Sequence, residues 1–203
     1  MKRILCYGDS NTWGCIPGVY ARYPEAVRWA GIMAKQLGDG YRIHEDGING
    51  RSTVWNDPEN PCRNGLAGIG YALYRSKPLD LVIVMLGTND LNYTDANGYE
   101  NGLCVLTEQI LSAQRVFPGT SDVFSDNPRL LLISPIRTTP QMPQYEQSCL
   151  LNQSTQRVAR RFGVPWMDAA KFAQASTADG YHMDADNHRL LGVEIAKRIK
   201  TIL

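Results

Sequence analysis

Short apolar runs alternate with longer amphipathic stretches along this chain, and the two periods separate readily. Arg3–Tyr7 reads as a compact apolar strand and Tyr41–Glu45 as a second. Between them, Ala26–Leu37 sets Val27, Ala30, Ile32, Met33, Ala34 and Leu37 at roughly helical spacing, with Gly38 where a C-cap belongs. Cys62–Tyr74 predicts another helix. Leu79–Leu86 is apolar at nearly every residue, which suits a strand buried on both faces of a parallel sheet. Gly102–Val116 reads as a helix, Leu130–Ile133 as a strand and Tyr145–Phe162 as a helix. A short strand at Pro165–Met167 and an amphipathic helix over His188–Leu203 close the chain.

This order, strand then helix throughout, predicts an α/β sandwich around a mainly parallel sheet of about five strands. No repeat, low-complexity tract or Pro/Gly linker divides the chain, so residues 1–203 are expected to form one domain. Arg51–Pro61 and Ile136–Gln144 are rich in Pro, Thr and Asn and follow strands. They are expected to overhang the carboxyl edge of the sheet, where open α/β sheets bind their ligands.

Composition narrows the function classes. The 21 basic and 20 acidic residues are interspersed and leave a formal charge of +1, so neither a nucleic-acid face nor a polybasic membrane patch is expected. The run after Met1 is too short for a secretory signal, although a chain stripped of its leader would read alike. No apolar run approaches the ~20 residues that span a bilayer. Five cysteines (Cys6, Cys15, Cys62, Cys104 and Cys149), with no C-x-x-C pair, predict a reduced, cytoplasmic protein without structural zinc.

The candidate chemistry lies at strand ends. Gly8-Asp9-Ser10-Asn11-Thr12 follows the first strand, where a serine faces any ligand of the sheet edge; Asp, Ser and Thr are also ordinary helix caps. Gly87-Thr88-Asn89-Asp90 follows the buried third strand, where the Asn89 amide could donate to an oxyanion or simply serve a turn. In Gly47-Ile48-Asn49-Gly50, a glycine permits either a positive φ or close approach of an N–H to a substrate. Of three histidines, His182 sits in Asp179-Gly180-Tyr181-His182, where the Asp can orient the ring toward a nucleophile. His44, within a strand, suits a structural role. His188, with Asp184 or Asp186, suits capping or surface contacts. Ser134 is the rival serine, but it precedes Pro135, which has no N–H to offer an oxyanion.

Together and in this order, these blocks resemble the SGNH (GDSL-like) hydrolase family: Gly8-Asp9-Ser10, Gly50, Gly87-Thr88-Asn89-Asp90 and Asp179-x-x-His182 span almost the whole chain. KRILCYGDSNTWG, VRWAG, DGINGRSTVWNDP and LDLVIVMLGTND look especially like its arylesterase/acyltransferase branch. The resemblance implies a flavodoxin-like three-layer sandwich and a serine esterase in which Ser10 attacks, His182 takes the proton and Asp179 holds the imidazole. It implies an oxyanion hole from the N–H groups of Ser10 and Gly50 and the side chain of Asn89, with Asp9 and Asp90 supporting the loops. No metal or cofactor is implied, and homo-oligomers are common in that branch. Asn11 stands where the family name has Leu, a position outside the triad and tolerant of change. Cys15 replaces an aromatic of the arylesterase branch, which predicts a wider acyl pocket. Trp13 and Trp55 are candidates for the pocket wall, though aromatics beside loops serve packing equally often.

The expected substrates are small esters, acetyl or aryl, including O-acetylated carbohydrates. Two alternatives stand beside that reading. A thioesterase or lysophospholipase would need a long apolar groove, whereas the loop carrying Arg51, Asn56, Asp57, Asn60 and Arg63 reads as polar. A non-catalytic flavodoxin-like module would need a phosphate-binding motif. None is present, and Gly65-x-x-Gly68-x-Gly70 falls inside a helical pattern.

Overall fold

The computed structural model describes residues 1–19, 21–113 and 122–203. Among them, β1 (Lys2–Gly8), β2 (Tyr41–Gly47), β3 (Leu81–Met85), β4 (Leu130–Ser134) and β5 (Trp166–Asp168) form one sheet. The order is β2-β1-β3-β4-β5, and every pairing is parallel. This is the flavodoxin-like order, in which the connections reverse direction between β1 and β3. Loops leaving those two strands diverge to opposite faces and open a crevice at their carboxyl ends.

Alternation along the strands builds the two cores. Leu5 and Tyr7 of β1 and Val82 and Val84 of β3 face one layer, made of α3 (Gly65–Ser76), α4 (Ala96–Leu111) and α6 (Leu151–Phe162). Ile4 and Cys6, with Leu81, Ile83 and Met85, face the other, made of α2 (Trp29–Leu37) and α7 (Ala185–Ile199). Helices on both faces explain why β3 and β4 are buried at every position, and apolar at all but Ser134, which ends β4. No helix among the described residues is long and apolar enough to cross a membrane.

The elements match their expected order, and the differences lie at their ends. The helix expected over Gly102–Val116 begins at Ala96, and its last expected residues, 114–116, lie outside the described set. Asp95 caps it by accepting from Asn97 and Gly98 N–H, and Tyr99, Leu103, Leu106 and Ile110 bury its inner stripe. Core packing therefore overrides the weak helix propensity of its Asn- and Gly-rich first turns. The helix expected over Tyr145–Phe162 is two, α5 (Tyr145–Ser148) and α6. The break follows Ser148, whose hydroxyl donates to Tyr145 O and accepts from Thr138 N–H, tying α5 to the loop after β4. The last helix starts at Ala185 because Asp184 accepts from Asn187 N–H as its N-cap.

Candidate active site

β1 delivers Gly8 to the sheet edge, and the chain turns at once into α1 (Ser10–Trp13). Asp9 caps this turn: its carboxylate accepts from Asn11 N–H at 2.9 Å, and its carbonyl accepts from Thr12 and Trp13 N–H. The Ser10 N–H, at the first position of the turn, has no intrahelical acceptor. Gly47 ends β2 beneath the same turn, where a Cβ would collide with the Trp13 backbone nitrogen. Close approach, not an unusual backbone angle, is therefore what Gly47 supplies. Gly50 is different: its φ of +81° is the left-handed region that favours glycine.

The opposite wall is the loop before α7. Asp179 accepts four hydrogen bonds: from Gly18 N–H at 2.9 Å, Tyr181 N–H and His182 N–H at 3.0 Å each, and the His182 ring at 2.7 Å. Partial burial opposes its ionisation, but these donors outweigh burial and hold the carboxyl at about 2. An ionised Asp179 can only accept, so His182 Nδ1 carries the proton and Nε2 presents a lone pair. That Nε2 lies 2.9 Å from Ser10 Oγ. A hydroxyl, an imidazole and a carboxylate in this relay can draw a proton off the serine as its oxygen attacks an electrophile.

A cavity of about 300 Å³ opens beside the serine, lined by Ser10, Asn11, Cys15, Asn49, Gly50, Thr88, Asn89, Asn92, Tyr181 and His182. It occupies the crevice between β1 and β3. Asn89 donates one amide hydrogen to Arg51 O at 3.1 Å, which leaves its second for a ligand. Ser10, Gly50, Asn89 and His182 thus border one space, and Asp179 stands behind the His182 ring, outside it. Across the mouth, Tyr181 donates to Gln144, which donates to Asn92, so the loop after β4 does overhang the site.

Arg51 corrects an expectation. Read from sequence as part of a polar groove, it is only 3% exposed and points beneath the Gly50 loop. Its guanidinium donates to Gly8 O, Asp46 O and the Asp46 carboxylate, and its carbon lies 3.9 Å from the centre of the Tyr7 ring. It braces the loop carrying Gly50 against the end of β1. Asp90 braces the same loop from β3 by accepting from the N–H and hydroxyl of Thr53. Burial raises Asp9 to about 6 and Asp90 to about 7; hydrogen bonds lower both, and the charge of Asp9 adds to the rise at Asp90.

The other candidates fall outside the cavity. Trp13 lies under the Arg22 guanidinium, and Trp55 stacks on Tyr93 at 6.3 Å; neither lines the space beside Ser10. Ser134 is fully buried and donates to Asp168 at 3.1 Å. His188 is fully buried, and its Nδ1 accepts from Trp29 N–H; burial, with the Arg28 charge, lowers it to about 4. His44 stays in β2. Cys15 lines the cavity and also a second one of about 310 Å³ on the far side of His182 and Asp179. Sequence reasoning read Asn11 as tolerant of change and Arg51 as part of a polar loop, because the backbone groups at Tyr181, Met183 and Gly8 that engage them lie far along the chain. Among the described residues no cluster of His, Cys, Asp and Glu could hold a metal ion.

Comparison with known proteins finds relatives of this chain. The model of the GDSL-like lipase/acylhydrolase family matches residues 6–190. A native aryl esterase from M. smegmatis is 33% identical over the whole of both chains, with a TM-score of 0.91. A carbohydrate acetylesterase from Sinorhizobium meliloti is likewise 33% identical over both full chains, with a TM-score of 0.92. A lipase/acylhydrolase from Enterococcus faecalis shares the fold at 21% identity and a TM-score of 0.72, covering 99% of this chain and 96% of its own. No curated protein matches the sequence.

Proposed function

Since the chain belongs to the GDSL-like lipase/acylhydrolase family and is a carboxylic ester hydrolase, we propose that it cleaves small acyl esters, acetyl or aryl, through Ser10, His182 and Asp179. The observation that carries this reading is the unbroken relay from Asp179 to His182 to Ser10, at 2.7 and 2.9 Å, beside a cavity of about 300 Å³. That volume is at the lower end of small-molecule sites, which favours a short acyl group over a fatty chain. Asn49 and Asn92, which also line the cavity, offer amides to sugar hydroxyls, which supports O-acetylated carbohydrates as substrates.

In the reaction, Ser10 Oγ attacks the ester carbonyl as its proton passes to His182 Nε2. The carbonyl oxygen becomes an oxyanion and takes hydrogen bonds from Ser10 N–H, Gly50 N–H and the free Asn89 amide hydrogen. When the ester C–O bond breaks, the departing alkoxide takes the proton from His182, leaving Ser10 acylated. Water then repeats the step: it gives a proton to His182, attacks the acyl carbon and releases the carboxylic acid, and Ser10 regains its proton. Asp179 keeps the ring in the required tautomer and stabilises it while it is cationic.

The test is hydrolysis of p-nitrophenyl acetate by wild type, Ser10→Ala and His182→Ala, with acetyl and octanoyl esters compared for the wild type. Losses of several orders of magnitude in both variants are expected. Full activity in Ser10→Ala would remove it as nucleophile, and faster turnover of the octanoyl ester would sink the short-acyl reading.

A further inference from the structure

Asn11 follows the serine and is 3% exposed. Both ends of its amide are engaged with residues 170 and 172 positions away. Nδ2 donates to Tyr181 O at 3.1 Å, and Oδ1 accepts from Met183 N–H at 2.9 Å. A backbone N–H can only donate and a backbone carbonyl only accept, so the amide has one orientation. Tyr181 and Met183 are the two chain neighbours of His182. The side chain therefore acts as a single peptide-like rung between the segment bearing the serine and the segment bearing the imidazole, and it grips the latter on both sides of the ring-bearing residue.

The remaining contacts of the loop do a different job. Asp179 accepts from Tyr181 N–H, His182 N–H and the ring, all within residues 179–182, so these bonds orient the ring relative to its own loop. Ser176 N–H and Thr139 N–H donate to His182 O and Gly180 O, which ties the loop to elements that do not carry Ser10. Besides the Ser10–His182 bond itself, hydrogen bonds from two residues of the serine segment reach it among the described residues. One is Gly18 N–H to Asp179, from an exposed stretch eight residues beyond the serine. The other is the buried rung from Asn11.

From this geometry we infer that Asn11 is a positioning residue that sets the distance between Ser10 Oγ and His182 Nε2, and so is not a freely variable position. The inference rests on the reading of Ser10 and His182 given above. It also explains the residue type. Of side chains this short, only a primary amide offers a donor and an acceptor in one plane; leucine offers neither, and an ionised aspartate would turn an acceptor toward Tyr181 O. Loss of the rung leaves two backbone groups without their partner and frees the loop to drift. A misplacement of about 1 Å in a reacting pair is enough to cost about a hundredfold in rate.

The experiment is a double-mutant cycle on p-nitrophenyl acetate hydrolysis with Asn11→Leu, His182→Ala and the two combined, each checked for folding by circular dichroism. Asn11→Leu is expected to lower kcat about a hundredfold while KM stays within about threefold. Because Asn11 acts through His182, the losses should not multiply: the double variant should be about as slow as His182→Ala alone. If they multiply, Asn11 acts on substrate or on the serine directly, and the inference is overturned. A folded Asn11→Leu with kcat within about twofold of wild type overturns it equally. If Asn11→Leu does not fold, Asn11→Asp, of the same shape, carries the same two criteria. Wild-type activity in His182→Ala would bring down the proton-relay reading and this inference with it. A large loss in His182→Ala beside an indifferent Asn11 would bring down this inference alone.

Discussion

Replacing Asp179 with Asn tests the proposed relay at its most constrained point. In the native site, one carboxylate oxygen accepts from Tyr181 and His182 N–H, and the other from Gly18 N–H and the His182 ring. An asparagine can keep the first pair on its carbonyl oxygen, but its NH₂ then faces Gly18 N–H and His182 Nδ1. Nδ1 must become an acceptor, the ring proton moves to Nε2, and the lone pair that should receive the serine proton is gone. Holding the wrong tautomer in an otherwise intact site costs about 10⁴-fold in kcat, or about 5.4 kcal/mol at 1.36 kcal/mol per decade. Stability should suffer far less. One N–H, on exposed Gly18, meets a donor instead of an acceptor, a loss of about 1 kcal/mol, which lowers Tm by about 2–4 °C in a chain of this size. Steady-state hydrolysis of p-nitrophenyl acetate and a thermal melt on the same sample separate the two effects. Because the native carboxyl sits at about 2, Asp179 stays ionised across any practical assay range. A folded Asp179→Asn protein within about tenfold of wild type would refute the tautomer argument.

Two further outcomes follow from the same structure. Ser134→Ala should leave ester hydrolysis within about twofold of wild type while costing about 1.5–3 kcal/mol, because the buried Asp168 carboxylate loses a donor; a loss of several orders of magnitude in kcat in folded protein would make Ser134 the better nucleophile. His188 should make the fold sensitive to acid. Its pKa falls from 6.5 to about 4 on folding, through burial first, so between those values the unfolded chain binds a proton that the folded chain does not. Lowering the pH through that window therefore weakens the fold, by up to about 3 kcal/mol from this group. Asp9 and Asp90, raised on folding, pull in the opposite direction. The measurable quantity is thus the stability difference between wild type and His188→Leu by urea titration, which should move toward the variant by about 3 kcal/mol as pH falls from 6.5 to 4. A difference independent of pH would remove His188 as the cause.

What could be read from the chain beforehand divides along physical lines. β3 and, up to Ile133, β4 were legible because a strand buried on both faces carries an unbroken apolar run. The layers followed, since strand–helix alternation leaves few topologies. Ser10 and Asp179-x-x-His182 stood out as blocks in a shared order rather than singly, since a serine at a strand end and a carboxylate three residues from a ring are also ordinary turn chemistry; the fold brings the three side chains together. Helix starts at Ala96 and Ala185 were less visible. In each, a capping aspartate and the buried stripe of the helix outweigh weak formers in the first turns. Arg51 and Asn11 were misread for a related reason. Each is a polar residue on a loop or turn, ordinarily solvated, and backbone arriving from distant segments, joined for Arg51 by nearby Asp46, turns it inward. Trp13 and Trp55 were named for their size and their place beside the motifs, but contacts with Arg22 and Tyr93 take them away from the cavity.

The bond between His182 and Ser10 joins residues 172 positions apart, and that separation has a consequence for how the protein is made. Synthesis yields the serine early and the imidazole late. Until the loop before α7 has docked on the turn after β1, Ser10 is an ordinary alcohol. On the proposed mechanism, ester hydrolysis then certifies that the first strand and the last helix have found each other. A nascent chain, or one truncated before His182, can carry the serine without exposing the cell to an unsupervised nucleophile.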